Sequence, residues 1–280
     1  VVHLRTVCKF FLKALGKKEA PHKLLELLDV PDIAAALGRS AHLTAPSEDY
    51  PDVYACVRAV RAFKEVRVLG ERPLEIRLLA GEHVIGQGLE LVGPAFSGVR
   101  ICGAGIKETQ LTGGELYVSD TGGGAPFCLE GVTVTNPNGT GLHVLSNGSP
   151  CSVRLTSCAI SNCGENGVYA AGAGASLELV ECLVLRNGGS GVLANSGVVR
   201  ISGASSRIHG NGRYGLHCEP RSSIKVSGLG TKPAFTRQNQ YGQRIFSGAT
   251  TSALFSETEA HPNKKGDVLE YDEGPVVFAP

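Results

Sequence analysis

Histidine and tyrosine recur at nearly regular intervals in the second half of the chain, where their side chains are candidates for chemistry. Each follows a Gly-Val or Gly-Leu pair, and with one leucine they form the series His143, Tyr169, Leu193 and His217. If each pair opens a strand of one sheet, these side chains point outward in a single row. Imidazole and phenol groups in such a row can transfer protons or contact a sugar, and they can equally contact a protein partner. Strand spacing separates the two histidines by about 14 Å, too far for both to bind one metal ion.

A second series of residues alternates in charge. Arg154, Glu178 and Arg200 occupy equivalent positions in three successive copies of the repeat described below. Neighbouring opposite charges on a sheet surface contribute from tenths of a kcal/mol to about 1 kcal/mol per pair, so we interpret the series as a surface charge ladder. Because Glu178 interrupts the basic residues and the chain has a net charge of +1, no nucleic-acid partner is predicted.

Carboxylates in the pattern that sugar hydrolysis needs are missing from the repeat region. Hydrolysis of a glycosidic bond uses two carboxyl groups, one as the acid and one as the base or nucleophile. Asp120 is the only aspartate between residues 74 and 250. Glu178 and Glu181 are three residues apart, which puts them on opposite faces of a strand. We therefore assign no catalytic residue, cofactor or metal site from the sequence.

The elements that position these residues repeat about every two dozen residues. The Gly-(Val/Leu) pair begins at Gly141, Gly167, Gly191 and Gly215, in steps of 26, 24 and 24 residues. Two more apolar runs follow nearly the same step, so each repeat contains three short strands separated by polar turns. This pattern predicts an all-β solenoid, a right-handed parallel β-helix.

Stacking along the solenoid axis follows from this period. Equivalent inward residues should form continuous apolar ladders, because neighbouring coils lie roughly 4.8 Å apart. The clearest such ladder is Leu142, Val168, Val192 and Leu216. Asn187 and Asn211 occupy the same turn position in consecutive coils, and we expect their amides to hydrogen-bond along the axis.

The coils resemble the pectate-lyase-like superfamily of right-handed β-helices. The lead-in RLLAGEHVIGQGLEL…VRICGAGIKETQL is similar to the first coils of that superfamily. The later NGxxG(V/L) segments resemble the short repeats of carbohydrate-binding proteins, sugar hydrolases and F-box substrate adaptors. The resemblance covers about residues 70–250 and implies the fold, but it leaves open whether the chain is a lyase, hydrolase, epimerase, adhesin or adaptor.

Three regions are predicted along the chain. Residues 1–70 form a helical N-terminal region, in which the amphipathic segment Tyr54–Phe63 is expected to cap the apolar end of the solenoid and Lys23–Leu37 to be helical. Residues 71–250 form the β-helix. Residues 251–280 lose the period, gain charge and form a C-terminal cap or tail.

The cysteines and the apolar stretches of the chain give expectations about its location in the cell. The nine cysteines show no metal-binding spacing, and five lie in strand-like apolar runs: Cys102, Cys128, Cys158, Cys182 and Cys218. Reduced, packed thiols favour an intracellular location. Residues 1–18 are basic and acid-free, which is typical of an amphipathic helix or of the remnant of an organelle-import segment. No apolar stretch reaches the roughly 18 residues that a membrane span needs.

Two functions remain open from the sequence. The first is a non-catalytic scaffold or protein-interaction domain, which presents its outward ladders to a protein partner within a larger assembly. The second is a carbohydrate-active enzyme (a polysaccharide lyase, hydrolase or epimerase) or a sugar-binding module. A stoichiometric protein partner would favour the first, and turnover of an acidic polysaccharide would favour the second.

Overall fold

The protein is a parallel β-solenoid with three sheets. The computed structural model describes residues 42–65 and 74–227, and beyond them the strand segments 236–237, 241–246, 250–251 and 268–271. Every named strand pair is parallel, and each strand pairs with the equivalent strand of the next coil. This arrangement confirms the predicted all-β solenoid with three strands per coil.

The strands fall into three sheets, and from β2 to β23 the neighbours within a sheet are separated by two other strands along the chain. Sheet 1 contains β1 His42–Ala45, β2 Glu75–Leu78, β5 Arg100–Cys102, β8 Phe127–Glu130, β11 Cys151–Thr156, β14 Ala175–Val180, β17 Val198–Ser202, β20 Ser223–Ser227 and β23 Thr250–Thr251. Sheet 2 contains β3 Gly81–Val84, β6 Thr109–Thr112, β9 Thr133–Thr135, β12 Ala159–Ser161, β15 Leu183–Leu185, β18 Arg207–His209 and β21 Thr236–Arg237. Sheet 3 contains β4 Leu89–Val92, β7 Leu116–Ser119, β10 Leu142–Leu145, β13 Val168–Ala171, β16 Val192–Asn195, β19 Tyr214–Cys218, β22 Tyr241–Phe246 and β24 Val268–Tyr271. We number the first six coils from coil 1 (β2–β4) to coil 6 (β17–β19).

The core is built from the predicted ladders. In sheet 3, Leu142 pairs with Val168, Val168 with Val192, and Val192 with Leu216, and the side chains of all four are buried. Sheets 1 and 2 contribute equivalent ladders through Leu177 and Val184. Because like residues stack at the strand spacing, each coil buries its apolar side chains against the coils on both sides.

The asparagine ladder is confirmed. Asn187 Nδ2 donates to Asn211 Oδ1 at 2.9 Å, and the backbone N–H of Asn187 donates to the same oxygen at 3.1 Å. One coil earlier, the backbone N–H of Cys163 donates to Asn187 Oδ1 at 3.0 Å. The two amides therefore satisfy buried donors at the turn between sheets 2 and 3.

One helix covers the N-terminal end of the core. Helix α1, Val53–Glu65, lies between β1 and β2 and buries Val53, Cys56, Val57 and Val60 in the core. The Tyr54 hydroxyl donates to the carbonyl of Gly88 at 3.0 Å, and Arg61 Nη2 donates to the carbonyl of Glu90 at 3.0 Å. These side chains satisfy carbonyls in and just before β4, which is the terminal strand of sheet 3 among the described residues.

Two strands lie where the sequence showed no strand period. Strand β1, within the region expected to be helical, pairs with β2 and extends sheet 1 by one strand. Strand β24 pairs with β22 and extends sheet 3 into the region expected to be a cap or tail. The helix expected at Lys23–Leu37 lies outside the described residues.

Candidate functional site

The outward row of sheet 3 runs across all six coils. In register along the axis are Glu90, Tyr117, His143, Tyr169, Leu193 and His217. The sequence predicted the last four, and the structure places them together as expected. Their inward neighbours on each strand are fully buried, so the alternation of the strand fixes the outward direction of the row.

Three rings stack in the middle of this row. The centroids of Tyr117 and His143 are 5.1 Å apart with the ring planes at 80°, and those of His143 and Tyr169 are 4.7 Å apart at 31°. Asn195 Nδ2 donates to the Tyr169 hydroxyl at 3.3 Å. Each ring is half-buried, so the three form an ordered aromatic surface and not a set of free side chains.

His143 is held by a carboxylate from the preceding coil. Its Nδ1 lies 3.4 Å from Glu115 Oε1, and its side chain retains 21% exposure. Its Nε2 is buried and has no hydrogen-bond partner among the described residues. The imidazole is thus positioned by Glu115 on one side and by two tyrosine rings along the axis.

His217 differs from the exposed row member that the sequence predicted. It lies on the outward side of β19, yet only 9% of its surface is exposed. Its Nε2 lies 2.9 Å from Glu219 Oε1, its Nδ1 lies 3.4 Å from Ser190 Oγ, and its ring centroid lies 5.0 Å from that of Tyr214. Residues flanking the strand cover it, which strand alternation alone does not reveal. Among the row residues from Glu90 to His217, the accessible part therefore ends near Leu193.

A groove of about 450 Å³ opens beside the row at coils 1 to 3. It lies at the turns between sheets 2 and 3, and its walls are Gly86–Gly88, Glu90, Gly113–Glu115, Tyr117, Asn136 and Asn138. Asn136 is committed to its own turn, because its Nδ2 donates to the Thr140 carbonyl at 2.7 Å. The groove thus combines two carboxylates with a tyrosine ring and exposed amides.

The charged series lies on a different face. Arg154 Nε donates to Glu178 Oε2 at 2.8 Å on sheet 1, where the two residues are in register. Arg200 is in register with Glu178 but donates to Ser176 Oγ at 3.2 Å instead. A similar pair, Arg100 with Glu130 at 2.8 Å, lies nearer the N-terminus. These residues therefore do not join the row on sheet 3.

The comparisons with known proteins agree with the fold. The family described as "Right handed beta helix region" matches residues 96–272, which is 177 of the 280 residues. The chain belongs to the right-handed β-helix family. No curated protein matches the sequence.

One solved structure is similar to this β-helix. ORF18 of Geobacillus virus E2 shares 11% identity with it, and the alignment covers 88% of this chain and 50% of that one with a TM-score of 0.41. The chain therefore spans half the length of that protein.

Sequence reasoning missed the N-terminal half of the site in this β-helix. Glu90 and Tyr117 continue the row, and Glu115 positions His143, but the four Gly-(Val/Leu) pairs predict none of the three. Gly88-Leu89 is a further copy of the Gly-(Val/Leu) pair, and it could have revealed this part of the row. It is in register with Glu115-Leu116 in the next coil. Glu115 replaces the glycine of the pair, so the repeat was not recognised there.

The cysteines fall into two groups. Eight are described and all are free thiols. Burial raises the pKa of Cys158 to about 12 and that of Cys182 to about 11. Cys102 and Cys128, by contrast, are half-buried on the outward face of sheet 1, so they are not the core residues that the sequence suggested. Burial also raises their pKa, although Arg100 lowers it at both positions.

The described residues contain neither a cluster of metal-binding side chains nor a membrane-spanning helix. No group of three or more His, Cys, Asp or Glu side chains there could hold a metal ion. None of the helices in that part of the chain has the length and apolar character to cross a membrane.

Proposed function

We propose that this β-helix is a non-catalytic interaction domain whose contact surface is the outward row of sheet 3. The observation that supports it is the stacked series Tyr117, His143 and Tyr169, followed by Leu193 in the next coil. Aromatic residues are enriched at the centres of protein interfaces, where they bury large areas with few rotatable bonds.

The solenoid suits this function because it holds the row in place before binding. Tyr117, His143, Tyr169 and Leu193 each lie on a strand that pairs with strands on both sides, and the three rings contact each other. Because these side chains are already ordered, binding of a partner would cost little conformational entropy. The proposal includes an intracellular location, which the free state of the eight described thiols supports.

Paired variants on the two sheets test the proposal. Leu193→Lys places a charge in the row on sheet 3, whereas Val180→Lys places the same charge at a comparably half-buried outward position on sheet 1. Affinity purification of the tagged full chain from its source should recover a stoichiometric protein with the wild type and with Val180→Lys, and lose it with Leu193→Lys. A partner that all three retain, or the lack of any stoichiometric partner, would contradict the proposal.

A second candidate is a sugar-binding or carbohydrate-active function at the groove. It is supported by the juxtaposition of Tyr117 with the exposed amides of Gln87 and Asn138, since sugars bind to rings and to hydrogen-bonding side chains. Glycan-array binding or turnover of a uronic-acid polysaccharide, lost in Tyr117→Ala, would favour it. The absence of both activities from the wild type would remove it.

A further inference from the structure

The groove beside the row has an acidic character. Glu90 is in register with Tyr117 in the neighbouring coil, and Glu115 lies two residues before Tyr117, immediately before β7 begins at Leu116. Both glutamates and Tyr117 line the groove. The groove-lining residues include no lysine, arginine or histidine.

These carboxylates keep capacity for a ligand. Glu115 approaches His143 through Oε1 at 3.4 Å and retains 35% of its side-chain exposure. Glu90 is exposed, and its carboxylate pairs with no cation among the described residues. The nearby Arg61 is occupied, because its guanidinium donates to the Glu90 carbonyl and lies 5.6 Å from the centroid of the Phe96 ring.

We propose that the groove binds an arginine side chain of an extended protein segment that continues along the row towards Leu193. This inference rests on the proposed interaction function and specifies the chemistry of its partner. A guanidinium donates to carboxylates and stacks on tyrosine rings, and the lining of the groove supplies both kinds of group in Glu90, Glu115 and Tyr117. The carboxylate of a uronic-acid polysaccharide would instead be repelled by the same two groups.

Peptide binding to the full chain tests the assignment. The probe is a fluorescein-labelled twelve-residue peptide of alternating arginine and serine, and the reference probe replaces each arginine by glutamine. Anisotropy should show binding of the arginine peptide, weakened about tenfold or more in the double variant Glu90→Gln/Glu115→Gln, because close charge pairs at an interface are worth 1.4 kcal/mol or more. The glutamine peptide should not bind.

The matched control removes the same charge from the other face. Glu130→Gln/Glu178→Gln lowers the negative charge of sheet 1 by two, and it should change the affinity by less than about twofold. An equal loss in both double variants would mean general electrostatic attraction and would overturn the proposal. So would an arginine peptide that does not bind, or a neutral cello-oligosaccharide that competes for the groove in its place.

Recovery of the partner with the groove variant Glu90→Gln/Glu115→Gln distinguishes failure of the arginine assignment from failure of the interaction function. If the groove variant keeps the partner that Leu193→Lys loses, the arginine assignment fails and the interaction surface stands. If neither variant loses a partner, the interaction function itself fails.

Discussion

Asn187 and Asn211 are buried to 2% exposure, and each side-chain oxygen accepts a hydrogen bond from the preceding coil. Two further bonds run from their Nδ2 atoms to the carbonyls of Ile160 and Val184 at 3.3 Å. A buried amide that serves two coils at once is costly to remove, because its partners lie where water cannot replace it. Sequence reasoning identified this pair because the spacing of the two asparagines equals the coil period.

Asn211→Ala should lower the free energy of unfolding by about 2 to 4 kcal/mol. The variant leaves the backbone N–H and the Nδ2 of Asn187 without their shared acceptor. Asn138→Ala is the control, since Asn138 is exposed in the equivalent region of an earlier coil and should change stability by less than about 0.5 kcal/mol. Urea denaturation of both variants measures the difference, and equal midpoints would show that the ladder does not stabilise the fold.

At the scale of elements, the glycine of the Gly-(Val/Leu) pair has a steric cause. A Cβ on Gly191 would lie 2.6 Å from Ile208 Cγ2, 2.7 Å from Asn211 Nδ2 and 2.8 Å from the Gly215 carbonyl. Gly167 meets the equivalent atoms one coil earlier. A glycine is therefore required where each strand of sheet 3 begins beside the asparagine turn. This requirement explains why the Gly-(Val/Leu) pair recurs with the period of the coils.

Gly191→Ala should destabilise the protein by about 1 to 3 kcal/mol, because two of the three close atoms belong to the packed core or to the backbone. Gly123→Ala is the matched control. A Cβ there has no neighbour within 4 Å, and the residue is exposed. Thermal denaturation should show a lower Tm for the first variant and an unchanged one for the second. Similar Tm values would mean that the coils adjust to the added methyl group.

The glycine of the Gly-(Val/Leu) pair also explains which elements could be predicted from the sequence. Coils 3 to 6 carry the glycine and an apolar ladder, so their strands and their row residues followed from spacing. Coil 2 has Glu115 in place of the glycine, and β1 is separated from β2 by a helix. Coil 2 and β1 do not show the period in their sequences, so only the strand pairing in the structure identifies them as parts of the solenoid.

At the scale of the whole molecule, buried thiols make stability depend on pH. Burial raises the pKa of Cys56 and Cys158 to about 12 and that of Cys163 and Cys182 to about 11. In the unfolded chain these thiols lose their protons near their ordinary value of about 9. Above that pH the folded state retains protons that the unfolded state has released, so stability falls as pH rises.

The double variant Cys158→Ala/Cys182→Ala should reduce this loss. Each thiol accounts for up to about 1.4 kcal/mol per pH unit between its unfolded and folded pKa. Urea midpoints measured at pH 8, pH 9.5 and pH 10.5 should therefore fall more steeply for the wild type than for the variant. Parallel curves would show that these thiols titrate in the folded protein as they do in the unfolded chain.

The repeat period predicts only part of the candidate site. Repetition predicts which residues share a face, but turns and flanking residues decide how much of each is accessible. His217 is covered by its neighbours, and the groove is built from turns of three coils that carry different sequences. Such features depend on the particular residues at the corners and not on the period.

Site-specific photocrosslinking tests the central claim most directly. p-Benzoylphenylalanine is placed at Tyr169 on sheet 3 and, in a second protein, at Val180 on sheet 1. Each tagged full chain is irradiated in an extract of its source and analysed by mass spectrometry. One defined protein adduct is expected from position 169 and none from position 180. Adducts from position 180 alone, or the same adducts from both positions, would contradict an interaction surface on sheet 3.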